Sequence, residues 1–406
     1  MKIEAGCREL AKALAPVKGV ALRDGLSPYA MVRLDATGPG LSLTGSNGDV
    51  QVETRLEAKV DGSGFSRLVP CGLFARCVEV MGGAAMEMSE RQSRLTMSSG
   101  RTLFRLPLQP GEGFPVMAPP GTRPGADGTL AKPGALFVAQ QVLREMLRKT
   151  RFAACTVADR AILCGVYVAW DPEKRRISMA ATDGNRLAEV THDLPPEEDH
   201  PPLPDTAPEG SRERVADGAG FEAILPSKAA DVLSGLLSRD GNGEVLAMSD
   251  GQTLRVCADG WMFTAKCISG KYPAYRRVIP ASRAFGGTVD RAALLEALER
   301  AEIAADRDSP RVDMSFSPGG MRLRAKGGDT ESDETLPMML DGEMAASIRM
   351  NPALLASALE VLDEDEVTLR WDSSGPMVVT CSIPWIAAIM PYRPTSGGGA
   401  KKEGKE

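Results

Sequence analysis

The 406-residue sequence predicts an α+β chain made of three similar domains, each with two helices packed on antiparallel strands. Three observations lead there. Six short amphipathic segments recur about every 60 to 70 residues. β-rich stretches closed by Gly, Asp or Asn fill the intervals, and a proline marks the start of every second helix. Length alone favours two to four domains.

The first helix is expected over residues 8–15, with Leu10 and Leu14 inward, Lys12 on the other side and Pro16 as its stop. A second begins at Pro70 and places Leu73, Phe74, Cys77, Val78 and Met81 at helical spacing. The third covers about 138–150, with Val142, Leu143, Met146 and Leu147 on one face and Arg144 and Arg148 on another. The fourth starts at Pro226 and buries Ala229, Val232, Leu233, Leu236 and Leu237. A fifth follows Asp290 as N-cap, with Leu294, Leu295 and Leu298 inside. The sixth opens with Asn351 as cap and Pro352 at the first helical position. Strands include Leu41-Ser42-Leu43-Thr44, Arg176-Ile177-Ser178-Met179 and Met321-Arg322-Leu323-Arg324. The long interval between the third and fourth helices holds residues 194–220, rich in Pro, Glu and Asp, which read as an inserted flexible loop.

The sequences Val69-Pro70-Cys71, Leu225-Pro226-Ser227 and Met350-Asn351-Pro352 each open an even-numbered helix, and each helix is followed by a strand. A repeat this long indicates duplicated domains rather than a solenoid. The boundaries fall at 1–126, 133–272 and 273–394, with a Gly- and Lys-rich tail at 395–406 that is expected to be disordered.

Composition narrows the chemistry. The chain is 43% hydrophobic and 25% charged with a net charge of −6, as in a soluble globular protein. No apolar run approaches the roughly 18 residues that span a bilayer, and the start lacks the apolar stretch of a signal peptide, so a cytoplasmic protein is expected. None of the eight cysteines sits in a CxxC pair, which favours buried free thiols over zinc or disulfides. His192 and His200 are the only histidines. With Asp193, Glu197, Glu198 and Asp199 they read as a solvated acidic loop rather than a metal site. No P-loop, GxSxG or HExxH occurs, so no catalytic residue, metal or cofactor is expected.

Three separated motifs carry a family resemblance. They are Ala181-Thr182-Asp183-Gly184-Asn185-Arg186-Leu187-Ala188, Lys271-Tyr272-Pro273-Ala274-Tyr275-Arg276-Arg277-Val278 and Met390-Pro391-Tyr392-Arg393. In this order, on a threefold repeat, they resemble the bacterial DNA sliding clamps, the beta subunits of DNA polymerase III. The resemblance covers residues 1 to about 394. It implies three clamp domains per chain and two chains closing head-to-tail into a ring around duplex DNA. Such a ring is a non-catalytic processivity factor that tethers DNA polymerase, the clamp loader and repair proteins through short clamp-binding peptides. It binds DNA topologically and without sequence preference, so basic helix faces are needed but tight base contacts are not. Lys12, Arg76, Arg144, Arg148, Lys149, Lys228 and Arg300 are the candidates, each equally readable as part of a solvated helix face. Arg23 matches a DNA-contacting arginine of the family, whereas Ala161 and Ile162 stand where the family has paired DNA-facing tyrosines.

The same resemblance implies a partner-peptide pocket from Leu163, Thr182, Gly184, Asn185, Arg186, Leu187, Pro273, Arg277, Val278, Ile389, Met390, Pro391, Tyr392 and Arg393. Asn185 replaces a common His, Tyr392 replaces an aliphatic residue or Met, and Pro394 replaces a terminal Leu. Tyr392 is accordingly expected to fill or gate the groove. Phe104, Arg101 and Ile303 match the dimer interface, with Arg101 facing the acidic fifth helix. The alternative left open is a specialised paralogue or monomeric peptide-binding scaffold that closes no ring.

Overall fold

The computed structural model describes residues 1–22, 27–37, 40–62, 64–122, 124, 128–195, 202–208, 211, 215, 218–238, 243–279, 284–342, 346–372 and 375–392. Arg23, His200, Arg393, Pro394 and the 395–406 tail lie outside them. Among the described residues, the helices with full bounds are α1 (Cys7–Val20), α2 (Cys71–Val80), α3 (Gln140–Arg151), α4 (Ser227–Leu236), α5 (Arg291–Ala304) and α6 (Pro352–Leu359). Each follows directly on a strand, and three antiparallel strands come after α2, α4 and α6, so one strand–helix–strands motif recurs along the chain. The chain folds as two compact units. The first holds Met1–Arg151, Val157–Met179 and Thr191–Lys271; the second holds Phe152–Thr156, Ala180–Val190 and Tyr272–Glu406.

The first unit is built on a nine-stranded antiparallel sheet. Its two halves meet where Val50–Glu57 pairs with Trp261–Lys266, from Val50 opposite Ala265 to Thr54 opposite Trp261. The repeats are thus joined by a backbone ladder. α1 lies over the strands Gly40–Ser46 and Val50–Glu57. It approaches so closely that a Cβ on Gly45 would sit 2.8 Å from the Val17 carbonyl oxygen. The Thr54 hydroxyl also donates to the Ala13 carbonyl at 2.9 Å.

α1 does not stop at Pro16 as expected; it runs to Val20 with the proline inside. Pro16 has no N–H to donate and costs about 3 kcal/mol in a helix interior. Beyond it Val17 and Val20 are buried and continue the apolar face set by Leu10 and Leu14, so packing outweighs the lost bond. The described residues of the 194–220 segment are also not a free loop. Thr206 donates to the carbonyls of Ala258 (2.8 Å) and Trp261 (3.0 Å), and Val215 packs with Ala135, Leu246, Met248 and Cys257. The described part of the insertion therefore covers a sheet face. On α4, Val232 and Leu236 are only half buried, because they line a cleft of about 810 Å³ with Ala13, Pro16 and Trp261.

Six of the eight free cysteines are buried. Burial pushes the thiols of Cys71 and Cys257 up to about 11 and that of Cys267 up to about 12, so at neutral pH they pack as protonated hydrophobes.

The second unit pairs residues 186–190 with Trp385–Ile389, which continues through Met377–Thr380, Glu366–Trp371 and Phe285–Asp290. Trp371 is buried in its core, stacked on Phe316 at 3.9 Å and on Phe285 at 5.9 Å between ring centroids. The caps of α5 and α6 are as expected: Asp290 accepts from the Ala293 N–H at 2.7 Å, and Asn351 accepts from Ala353 at 3.0 Å. A separate four-stranded sheet packs against α5, which in turn packs on α6, and it carries cross-strand ion pairs, among them Arg322–Asp333 and Arg349–Asp313.

The close approach at Gly45 gives a direct test. Gly45→Ala must displace the Val17 backbone, and denaturant unfolding should show a loss of about 1–3 kcal/mol.

Candidate partner-docking site and basic helix faces

The second unit contains a polar turn at residues 182–186 whose bonds are almost all internal. Gly184 sits at φ +93°, a left-handed conformation that suits glycine. The Asp183 carboxylate accepts from the Asn185 N–H (2.8 Å), the Arg186 N–H (3.0 Å) and Arg186 Nε (3.1 Å). The Thr182 hydroxyl accepts from the Gly184 N–H (3.1 Å) and donates to the Arg186 carbonyl (2.7 Å). The Arg186 guanidinium then donates to Ser357 Oγ on α6 at 2.5 Å and lies 5.5 Å from the Phe152 ring centroid. A short polar sequence is thereby made rigid, and its arginine is aimed by three partners far apart in the chain.

Two further segments gather on this turn. The Met390 N–H donates to the Asn185 carbonyl at 2.8 Å, a backbone bond indifferent to which side chain stands at 185. In residues 272–278 Tyr272 and Tyr275 are buried edge to face with ring centroids 6.1 Å apart, while Pro273 and Arg277 are exposed. Burial raises the Tyr272 phenol well above its usual range, partly offset by the Thr182 backbone. Val278 is 54% exposed and Met390 38%, apolar side chains left facing solvent beside the turn's own segment partners. Leu187 and Ile389, expected to line the pocket, are buried and form core under it.

Tyr392 is held: its N–H donates to the Arg349 carbonyl at 2.9 Å, and the Arg311 guanidinium lies 5.3 Å from its ring centroid. Thr182, Gly184, Asn185, Arg186, Met390, Pro391 and Tyr392 thus belong to one unit with residues 272–278, whereas Leu163 belongs to the other. Sequence reasoning did not single out Asp183, Ser357, Phe152, Arg311 or Glu189. The Asp-Gly pair in the turn could have signalled Asp183, but no local signal links Ser357 to Arg186.

In the first unit α1 packs on both α2 and α4, and α4 on α3, so the helices form the row α2–α1–α4–α3. Together they carry nine Lys or Arg against four Asp or Glu, in a chain whose net charge is −6. The individual candidates differ. Lys12, Arg76 and Lys228 are exposed and make no ion pair among the described residues. Arg144 donates to the Ser234 and Leu237 carbonyls at 2.8 and 2.9 Å, satisfying the end of α4. Arg148 pairs with Glu145 at 2.5 Å, and in the second unit Arg300 pairs with Glu334 and Glu296. Lys149 is only 7% exposed, which corrects its placement among surface cations: the apolar face of α3 wraps further round than the spacing suggested.

The strand Thr102–Pro107 ends the five-stranded sheet of the first unit and has one edge unpaired among the described residues. Leu103 on it is 47% exposed and Phe104 half-buried, flanked by exposed Arg101 and Arg105. In the second unit Ile303 on α5 is 81% exposed, beside exposed Glu299 and Glu302.

Comparison with known proteins agrees with these features. Residues 1–118 match the DNA polymerase III beta subunit, N-terminal domain, and residues 276–382 match its C-terminal domain. The chain is 27% identical over 356 residues to the beta sliding clamp of Synechococcus elongatus, covering 86% of each. It is 26% identical to that of Pseudomonas putida, covering 90% of this chain and 92% of the relative. The DNA polymerase III subunit beta of Pseudomonas aeruginosa superposes with a TM-score of 0.84 at 24% identity, over 97% of this chain and all of that one. A Pseudomonas aeruginosa sliding clamp bound to griselimycin has the same TM-score and identity.

Removing the carboxylate that organises the turn should loosen it locally. Asp183→Ala is expected to speed amide exchange at Asn185 and Arg186 at least about tenfold, roughly 1.4 kcal/mol, with α5 unchanged.

Proposed function

Because the chain belongs to the family of DNA polymerase III beta subunits, the bacterial sliding clamps, we propose that it is a ring-forming processivity factor that encircles duplex DNA. Two copies close head-to-tail, and the ring tethers the replicative polymerase, the clamp loader and repair proteins through the docking site around residues 182–186 and 272–278. The chain itself carries out no catalytic step in this reading. No described helix is long and apolar enough to cross a membrane, as suits a protein that works on DNA.

The observation that carries the reading is the segregation of positive charge onto the row of helices in the first unit. A chain with net charge −6 repels DNA at long range, whereas nine basic against four acidic groups leave these four adjacent helices a net excess of five positive charges, which favours a polyanion locally. The exposed cations Lys12, Arg76 and Lys228 offer point-charge attraction to phosphates with no base readout, weak enough to be compatible with sliding. Retention then comes from topology. Ring closure also gives the open edge at Thr102–Pro107 a partner strand and covers Ile303, two exposures that a monomer leaves in water. Arg101 and Arg105 meet Glu299 and Glu302 of the partner protomer with complementary charge.

The decisive experiment loads the protein on nicked circular DNA and washes it with high salt. Retention on the circle and loss after linearisation are expected; loss in both cases would leave only a monomeric peptide-docking scaffold. Phe104→Asp with Ile303→Asp should convert the dimer to monomer by sedimentation and abolish that retention. Replacing Lys12, Arg76 and Lys228 by Ala should flatten the salt dependence of open-DNA binding by about 0.9 in log–log slope for each phosphate that is no longer neutralised.

A further inference from the structure

Glu189 is among the few charged side chains buried in the fold, at 8% exposed, and the family resemblance assigns it nothing. It stands in the strand Arg186–Asp193, three residues after the arginine of the turn. Its Oε1 accepts from Tyr275 Oη at 2.9 Å and from Arg276 Nε at 2.8 Å, and Arg276 Nη2 approaches to 2.6 Å. The Arg276 guanidinium also lies 5.7 Å from the Tyr275 ring centroid. All of these groups belong to the second unit.

We propose that Glu189 is a positioning residue for partner docking, holding residues 272–278 in the shape that presents Pro273, Arg277 and Val278. The proposal rests on the docking-site reading above and deepens it. The backbone bonds of the segment are short-range: Tyr275 N–H to Pro273 O (2.7 Å), Arg277 N–H to Ala274 O (3.1 Å) and Ile279 N–H to Arg276 O (3.3 Å). Such bonds close a tight turn but do not tie it to a sheet. Pro273, Arg277 and Val278 all face solvent, so they contribute no core packing.

Tyr272 and Tyr275 are the buried anchors, and Glu189 is the acceptor that sets where Tyr275 and its neighbour Arg276 come to rest. A carboxylate taken out of water loses hydration that an apolar residue never had, so its place needs the three donors it receives. Charge-assisted bonds of this kind are short and directional, which suits alignment better than apolar packing does. A wall ordered before binding spares a partner the entropy of ordering it.

The test measures griselimycin binding to the full-length dimer by calorimetry, alongside thermal unfolding. Glu189→Ala is expected to weaken binding at least about tenfold while the dimer persists. Glu189→Gln, which keeps an acceptor for Tyr275, should recover part of the loss. Adding Tyr275→Phe and Arg276→Gln to Glu189→Ala should cost less than the sum of the separate losses, since the bonds to Glu189 are shared. Gly45→Ala serves as the destabilised control, lowering stability in the first unit without changing affinity. Unchanged affinity in Glu189→Ala, or a loss matched by Gly45→Ala at equal destabilisation, would overturn the proposal. Failure of the wild-type chain to bind would instead sink the docking reading, and the proposal with it.

Discussion

The ladder between Val50–Glu57 and Trp261–Lys266 is the interaction on which the first unit depends. Strands some two hundred residues apart in the chain exchange backbone bonds there, so two half-sheets become one nine-stranded sheet. A half-sheet with an open edge is an aggregation hazard, and pairing edge to edge removes it without added residues. The same device recurs in the second unit, where residues 186–190 pair with Trp385–Ile389. Because the repeats share sheets, helices of neighbouring repeats come side by side, as α1 and α4 do. The row of helices, and the charge it carries, is a consequence of strand pairing.

Charge is then sorted by location rather than by amount. The helices of the first unit are basic, while α5 carries Glu296, Glu299 and Glu302 and the four-stranded sheet is crossed by Arg–Asp and Arg–Glu pairs. Those exposed pairs contribute little to stability individually. Paired in this way they leave their sheet face near neutral, whereas the helices of the first unit keep an excess of positive charge. Several of the basic residues are consumed by structure: Arg144 closes the end of α4, and Arg148 pairs within its own helix. A clamp that must slide gains from this, because few free cations mean weak, non-specific attraction.

The proposed docking site follows the opposite rule. Its turn is rigid because Asp183 and Thr182 satisfy nearly every donor within five residues, and Arg186 is steered from outside by Ser357 and Phe152. Beside it residues 272–278 are anchored by two buried tyrosines and one buried carboxylate while their apolar and cationic side chains stay exposed. Rigid backbone under exposed apolar groups is what a docking surface for short peptides requires. At Tyr392 the ring is taken up by Arg311, so the residue that departs from the family pattern is engaged in the fold rather than loose.

Local chemistry was enough to find the helices. Asp290, Asn351 and Pro352 announce their caps, and the apolar spacing expected of α2 is largely the one observed. The repeat and the turn at 182–186 were likewise readable, because the bonds that make them lie within a few residues. What the sequence alone could not decide is how distant segments meet. Pro16 sits inside α1 because Val17 and Val20 have a core to enter, and within the 194–220 segment Thr206 and Val215 are packed because they find a sheet. Lys149 is buried and Arg144 is spent for the same reason: which way a basic side chain faces depends on the helix beside it. Glu189 had no signal at all in a β-rich run, since its meaning comes from Tyr275 and Arg276, more than eighty residues on. Propensity, capping and turn chemistry act over a few residues and are written in the sequence, whereas burial and partner choice exist only once the strands have paired.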